Sequence, residues 1–171
     1  SFNNSGIGIN ISAGNPTIEF NTITGNVGTG VSVSGGIPVI QGNDIQTNTT
    51  GISITNATPA TVVTGNNIHG NTTGMSVSGS AASPSINGNR IYCNTPGSDL
   101  NAAGTIALNA TLNSWDHDSN TVPTGPTVGI AGCPAGTDIC GGGTLTYIPF
   151  NPAVPGGCLL YATCSIFRAE G

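Results

Sequence analysis

Few residues in this 171-residue chain are equipped for acid, base, nucleophilic or metal chemistry. The carboxylates are Glu19, Asp44, Asp99, Asp116, Asp118, Asp138 and Glu170. The histidines are His69 and His117, the arginines Arg90 and Arg168, and there is no lysine. Glycoside hydrolysis needs two carboxylates facing each other across a cleft. Glu19 and Asp44 occupy different positions of the repeat described below and do not form that pair. Asp116-His117-Asp118 is the densest ionisable cluster, but three consecutive side chains do not converge on one ion without a special turn. It reads as a polar loop. No catalytic residue, metal site or cofactor is assigned. Two arginines without lysine exclude binding of nucleic acid by phosphate neutralisation and a polybasic membrane anchor. No apolar run approaches the roughly 20 residues of a membrane-spanning helix, so membrane insertion is not expected.

What must position these groups is a repeat. Gly, Thr, Asn and Ser make up 85 of the residues, and Ile plus Val number 28 against 6 Leu, a bias toward strands. Gly, apolar, small polar, apolar recurs as Gly8-Ile9-Asn10-Ile11, Gly30-Val31-Ser32-Val33, Gly51-Ile52-Ser53-Ile54 and Gly74-Met75-Ser76-Val77. After each comes a second block, apolar-x-x-Asn-x-Ile-x-x-Asn. It reads Ile18/Asn21/Ile23/Asn26, Ile40/Asn43/Ile45/Asn48, Val63/Asn66/Ile68/Asn71 and Ile86/Asn89/Ile91/Asn94. A degenerate fifth copy falls at Ala110, Asn113, Trp115 and Asp118. Alternation is of period two, and no segment carries the helical period.

A period near 22 built of short strands and Gly/Asn corners predicts an all-β solenoid of about five coils. Equivalent residues then stack about 4.8 Å apart. Ile and Val columns form the core. Asn21, Asn43, Asn66 and Asn89 form one amide ladder, and Asn26, Asn48, Asn71 and Asn94 a second. Asn is also expected to take up the left-handed bends at the corners. Trp115 enters an Ile column at the end of the stack, where it is expected to cover the last apolar layer.

The same register predicts which chemical groups meet on the surface. Outward positions after the first Asn column stack as Thr22, Asp44, Asn67, Arg90 and as Thr24, Gln46, His69, Tyr92. Asp44, His69, Arg90 and Tyr92 then share one patch, an aromatic among hydrogen-bonding groups, as a sugar-binding surface requires.

These blocks resemble the short repeats of the pectate-lyase-like and NosD-like superfamily. Asn109 to Trp115 followed by Gly125-Pro126 is similar to the N-x-W-G…G-P ending of many such proteins, with Asp116 in place of the Gly. Thr146-Tyr147-Ile148-Pro149-Phe150 looks like their closing segment. The resemblance implies a right-handed single-stranded parallel β-helix, secreted or on a cell surface. Lyases of that fold use a calcium-binding carboxylate cluster and an Arg or Lys base, which these residues do not supply.

Residues 1–122 are read as the solenoid and 123–171 as a Pro-, Gly- and Cys-rich cap or assembly tail, with strand candidates Thr144–Phe150 and Cys158–Phe167. Cys133, Cys140, Cys158 and Cys164 lie in this tail as disulfide candidates; their pairing stays open, and Cys93 is the odd one, free or intermolecular. Disulfides place the chain in an oxidising compartment, and no signal peptide is visible. Aligning Asn4 with Asn26 puts Ser1 inside a coil, an exposed edge expected either because the chain is a fragment or because the first coil meets a partner. The leading functional expectation is an extracellular structural subunit that self-assembles into a homo-oligomer or filament. The alternatives are a carbohydrate-binding adhesin module and, behind it, a polysaccharide lyase or hydrolase.

Overall fold

A computed structural model describes residues 6–56, 60–79, 84–103, 108–115, 128–129, 139–141 and 145–146. Each pair of repeat blocks supplies three strands. The first coil contains β1 (Ile7–Ile11), β2 (Thr17–Glu19) and β3 (Thr22–Thr24). The second contains β4 (Thr29–Val33), β5 (Val39–Gln41) and β6 (Asp44–Gln46). The third contains β7 (Thr50–Thr55), β8 (Val62–Thr64) and β9 (Asn67–His69), and the fourth β10 (Thr73–Ser78), β11 (Ser85–Asn87) and β12 (Arg90–Tyr92). β13 (Leu100–Ala103) and β14 (Leu108–Asn109) follow, then β15 (Val128–Gly129), β16 (Ile139–Gly141) and β17 (Leu145–Thr146). Four coils are therefore complete. Among the described residues the degenerate fifth has, in place of a third strand, a single bridge from Arg90 to Ser114.

The strands stack in parallel into three sheets. The first runs β1-β4-β7-β10-β13-β16-β15, the second β17-β14-β11-β8-β5-β2 and the third β12-β9-β6-β3. β16 and β17, drawn from the expected tail, add to the first and second sheets beside β13 and β14. β16 lies between β13 and β15, so the end of the first sheet does not follow chain order. Of the tail's two strand candidates, Leu145–Thr146 is strand, and Cys158–Phe167 lies outside the described residues.

Four inward side chains per coil build the core. Val31, Ile52, Met75 and Leu100 form one fully buried column, and Ile40, Val63 and Ile86 another. The third sheet contributes Ile23, Ile45, Ile68 and Ile91, each fully buried. Trp115 belongs to the same cluster and is itself completely covered; Ile139 of β16 joins it too. A single coil buries too few methylenes to offset the ordering of its own backbone, so stability belongs to the stack.

The corners differ from expectation in one respect. None of the eight ladder asparagines has a positive φ; the residue before each one does. Phe20, Gly42, Gly65 and Gly88 precede the first ladder, with φ between 54° and 66°; Gly25, Thr47, Gly70 and Cys93 precede the second, with φ between 54° and 69°. The left-handed residue turns the chain, and the Asn amide then bonds across the bend. Asn43 Nδ2 donates to its own coil at Gln41 O (3.0 Å), and to Ile18 O of the previous coil (2.9 Å).

Both ladders run one way. Each Asn but Asn94 donates its Nδ2 and its backbone N–H to Oδ1 of the Asn in the next coil. In the second ladder the side-chain distances are 2.9 Å (Asn26 to Asn48), 3.0 Å (Asn48 to Asn71) and 2.9 Å (Asn71 to Asn94). The repeated Gly exists to admit this ladder. A Cβ on Gly30 would sit 2.7 Å from Gly51 O and 3.1 Å from Asn48 Nδ2. Among the described residues no helix is long and apolar enough to cross a membrane.

Candidate functional site

The third sheet carries the candidate site on strands three residues long. In β6, β9 and β12 the middle Ile points inward, leaving the first and third residues outside. The register pairs Asp44 with Asn67 and Asn67 with Arg90, and Gln46 with His69 and His69 with Tyr92. Asp44, His69, Arg90 and Tyr92 thus come together on one face across three coils.

Asp44 is the hub. Its Oδ1 accepts from Asn67 Nδ2 at 2.9 Å and lies 3.0 Å from His69 Nε2; its Oδ2 accepts from Gln46 Nε2 at 3.1 Å. A carboxylate only accepts, so His69 carries a proton on Nε2, and in the neutral ring Nδ1 is left as an acceptor. The side chains of His69 and Asp44 are 18% and 39% exposed. His69 and Tyr92 stack with ring centroids 5.0 Å apart and planes 8° from parallel. The Arg90 guanidinium carbon lies 5.6 Å from the centre of the Tyr92 ring, within cation–π range. Among the described residues Arg90 forms no ion pair, since the one pair present is Asp44 with His69.

The parallel strands of this face, stacked coil on coil, bear on the family of the fold. A family model of the right-handed β-helix region matches residues 1–125. The chain belongs to the right-handed β-helix family. No curated protein and no solved structure matches it.

Other expected groups fall elsewhere on the β-helix. Glu19 stands on the second sheet, where its Oε2 accepts from Gln41 Nε2 at 2.8 Å. Among the described residues no group of three or more His, Cys, Asp or Glu side chains could hold a metal. Asp116, His117 and Asp118 lie outside the described residues, as do Cys133, Cys158 and Cys164. Cys140 is buried in β16, its Sγ 3.2 Å from Ser98 Oγ.

Asp99 was not anticipated. The second ladder ends on it: Asn94 Nδ2 and backbone N–H donate to Asp99 Oδ1 at 2.7 and 3.2 Å. Asp99 takes the position of the repeated Gly in the fifth coil, opposite Gly74, since Met75 pairs with Leu100. Its own side chain fills the space the next Asn would take. A sequence signal existed, because a carboxylate replaces Gly where the repeat lengthens from 23 to 25 residues.

Proposed function

We propose that this β-helix is an extracellular carbohydrate-binding scaffold that uses the outer face of its third sheet. The observation that carries the reading is the His69–Tyr92 stack, bordered by an Arg90 without an ion-pair partner among the described residues. Amphipathic rings beside fixed donors and acceptors suit a ligand with apolar C–H faces and hydroxyl edges. The arrangement favours recognition over turnover. Both Asp44 oxygens are engaged by neighbours, and Glu19 is held on a different sheet.

Glycan-array binding by the full chain tests the proposal. Wild-type protein is expected to bind a defined set of saccharides, and Tyr92→Ala and His69→Ala each to weaken binding about threefold to tenfold, the worth of one aromatic contact. Unchanged binding in both variants would refute the site.

One observation favours a second reading, assembly into a homo-oligomer. β1 is the last strand of its sheet among the described residues, and its Ile7 is 45% exposed. Exposed edges recruit strands. Asp99 limits how that assembly proceeds, because it already accepts the last donors of the second ladder.

A further inference from the structure

We infer that the corner between the second and third sheets is a second sugar-binding track, with Phe20 as its stacking platform and a neutral oligosaccharide as its ligand. This rests on the saccharide-binding reading above and extends it to a different part of the surface.

The corner residue of each coil is left-handed, and in the three middle coils it is Gly42, Gly65 or Gly88. The end coils break the pattern. Phe20 has φ 54° and Leu112 φ 61°. A bulky residue in this conformation is uncommon, because its Cβ crowds the following carbonyl. The three glycines show that the bend itself needs no side chain. The Phe20 ring also gives little to the core, since the residue is 81% exposed. Strain kept without burial points to a role at the surface.

The ring has a seat. A Cβ added to Gly42 would lie 2.9 Å from Phe20 Cε1 and 3.0 Å from Cδ1, so the aromatic edge rests on bare glycine backbone. Beyond it Gly65 and Gly88 continue the strip toward Leu112. Stacking at about 4.8 Å per coil makes the strip about 19 Å long from Phe20 to Leu112. Glu19 and Gln41, joined at 2.8 Å, border it with an acceptor and a donor.

This combination selects its ligand. One ring is too small for a hydrophobic protein interface, which buries roughly 800 Å² per partner. Glu19 beside the ring repels anionic polymers. A neutral sugar chain fits: an apolar pyranose face on Phe20, hydroxyls toward Glu19 and Gln41, and following units over the glycines.

Calorimetric titration of the full chain with cello-, xylo-, manno- and chito-oligosaccharides of increasing length tests the inference, alongside thermal unfolding. Affinity is expected to rise with chain length until the strip is spanned. Phe20→Gly is expected to lower affinity about tenfold while leaving the melting temperature unchanged or higher, because glycine suits the bend. Phe20→Trp is expected to retain binding. If Phe20→Gly binds like wild type while Tyr92→Ala loses affinity, the track is refuted and the third-sheet site stands. If the wild-type chain binds none of these sugars, the track falls with them; an array that still finds saccharides lost on Tyr92→Ala would leave the third-sheet site intact. If Phe20→Gly unfolds at lower temperature, Phe20 is structural and the inference is overturned.

Discussion

Replacing Asn66 tests whether the amide ladders hold the stack together. Asn66 is 1% exposed. Its Oδ1 accepts from Asn43 N–H at 3.0 Å and Asn43 Nδ2 at 2.9 Å. Its Nδ2 donates to Ile40 O at 2.9 Å, Thr64 O at 3.1 Å and Asn89 Oδ1 at 3.0 Å. Alanine removes all five contacts. Asn43 Nδ2 keeps Ile18 O and Gln41 O, and Asn89 Oδ1 keeps the Asn66 backbone N–H. The buried Asn43 N–H loses its acceptor. One orphaned donor costs about 1–3 kcal/mol, and the lost packing raises the total to about 2–4 kcal/mol. Asn21→Ala, at the half-buried start of the same ladder, forfeits one bond at 2.8 Å and one at 3.3 Å and is expected to cost less than about 1 kcal/mol. Direction matters as well as number. Asp99→Asn keeps an Oδ1 for Asn94 and is expected to be nearly neutral. Asn94→Asp loses its donors to Ile68 O, Tyr92 O and Asp99 and sets a second carboxylate against Asp99. That unpaired buried charge costs about 3–5 kcal/mol. Guanidinium unfolding followed by circular dichroism reads these costs as midpoint shifts at constant m. The reasoning is refuted if Asn21→Ala is as damaging as Asn66→Ala, or Asp99→Asn worse than Asn94→Asp.

Two further outcomes are expected. Gly51→Ala should cost about 2–3 kcal/mol, because its Cβ would lie 2.5 Å from Gly74 O and 3.0 Å from Asn71 Nδ2. Gly70→Ala has nothing within 4 Å and a φ of 62°, so it should cost only the left-handed penalty of about 1 kcal/mol; thermal unfolding of the pair gives the order. For assembly through β1, sedimentation velocity should show oligomers growing with concentration and Ile7→Lys holding the chain monomeric; a wild-type monomer at every concentration ends that reading.

The inward half of this protein is legible in its sequence because one repeat is written four times. Period-two alternation fixes which face is buried, and the Asn columns fix the register, so Asp44, His69, Arg90 and Tyr92 fall on one face by arithmetic. The bonding within that face is less legible. Asp44 accepts from its own strand at Gln46 and from the next coil at Asn67 and His69, a choice made by rotamers and not by spacing. Asp99 escaped because the repeat lengthens there, and a lone carboxylate in a Gly column reads as decay of the pattern. Phe20 escaped for the opposite reason. It occupies a corner whose identity the alternation rule does not constrain, and its left-handed φ emerges only from the fold.

The ladders and the surface sites are one mechanical system. The His69 and Tyr92 ring centroids are 5.0 Å apart, close to the roughly 4.8 Å at which parallel strands pair. Strand pairing therefore sets the separation of the two rings. It stays constant only while both residues remain in the same column. Coil length does vary: from β4 to β7 the offset is 21 residues, from β5 to β8 and β6 to β9 it is 23. The two extra residues fall between Ile54 and Val62, since Val33 pairs with Ile54 and Val39 with Val62. Two more enter after the third sheet, between Tyr92 and Leu100, where the offset grows from 23 to 25, whereas the corner between the second and third sheets, held by the first Asn ladder, keeps its length in all four coils. A one-residue slip there would turn His69 or Tyr92 inward. The first-ladder asparagines that precede the third sheet thus hold the candidate site in register without touching a ligand, and the chain changes length elsewhere, between the first and second sheets and in the corner that follows Tyr92.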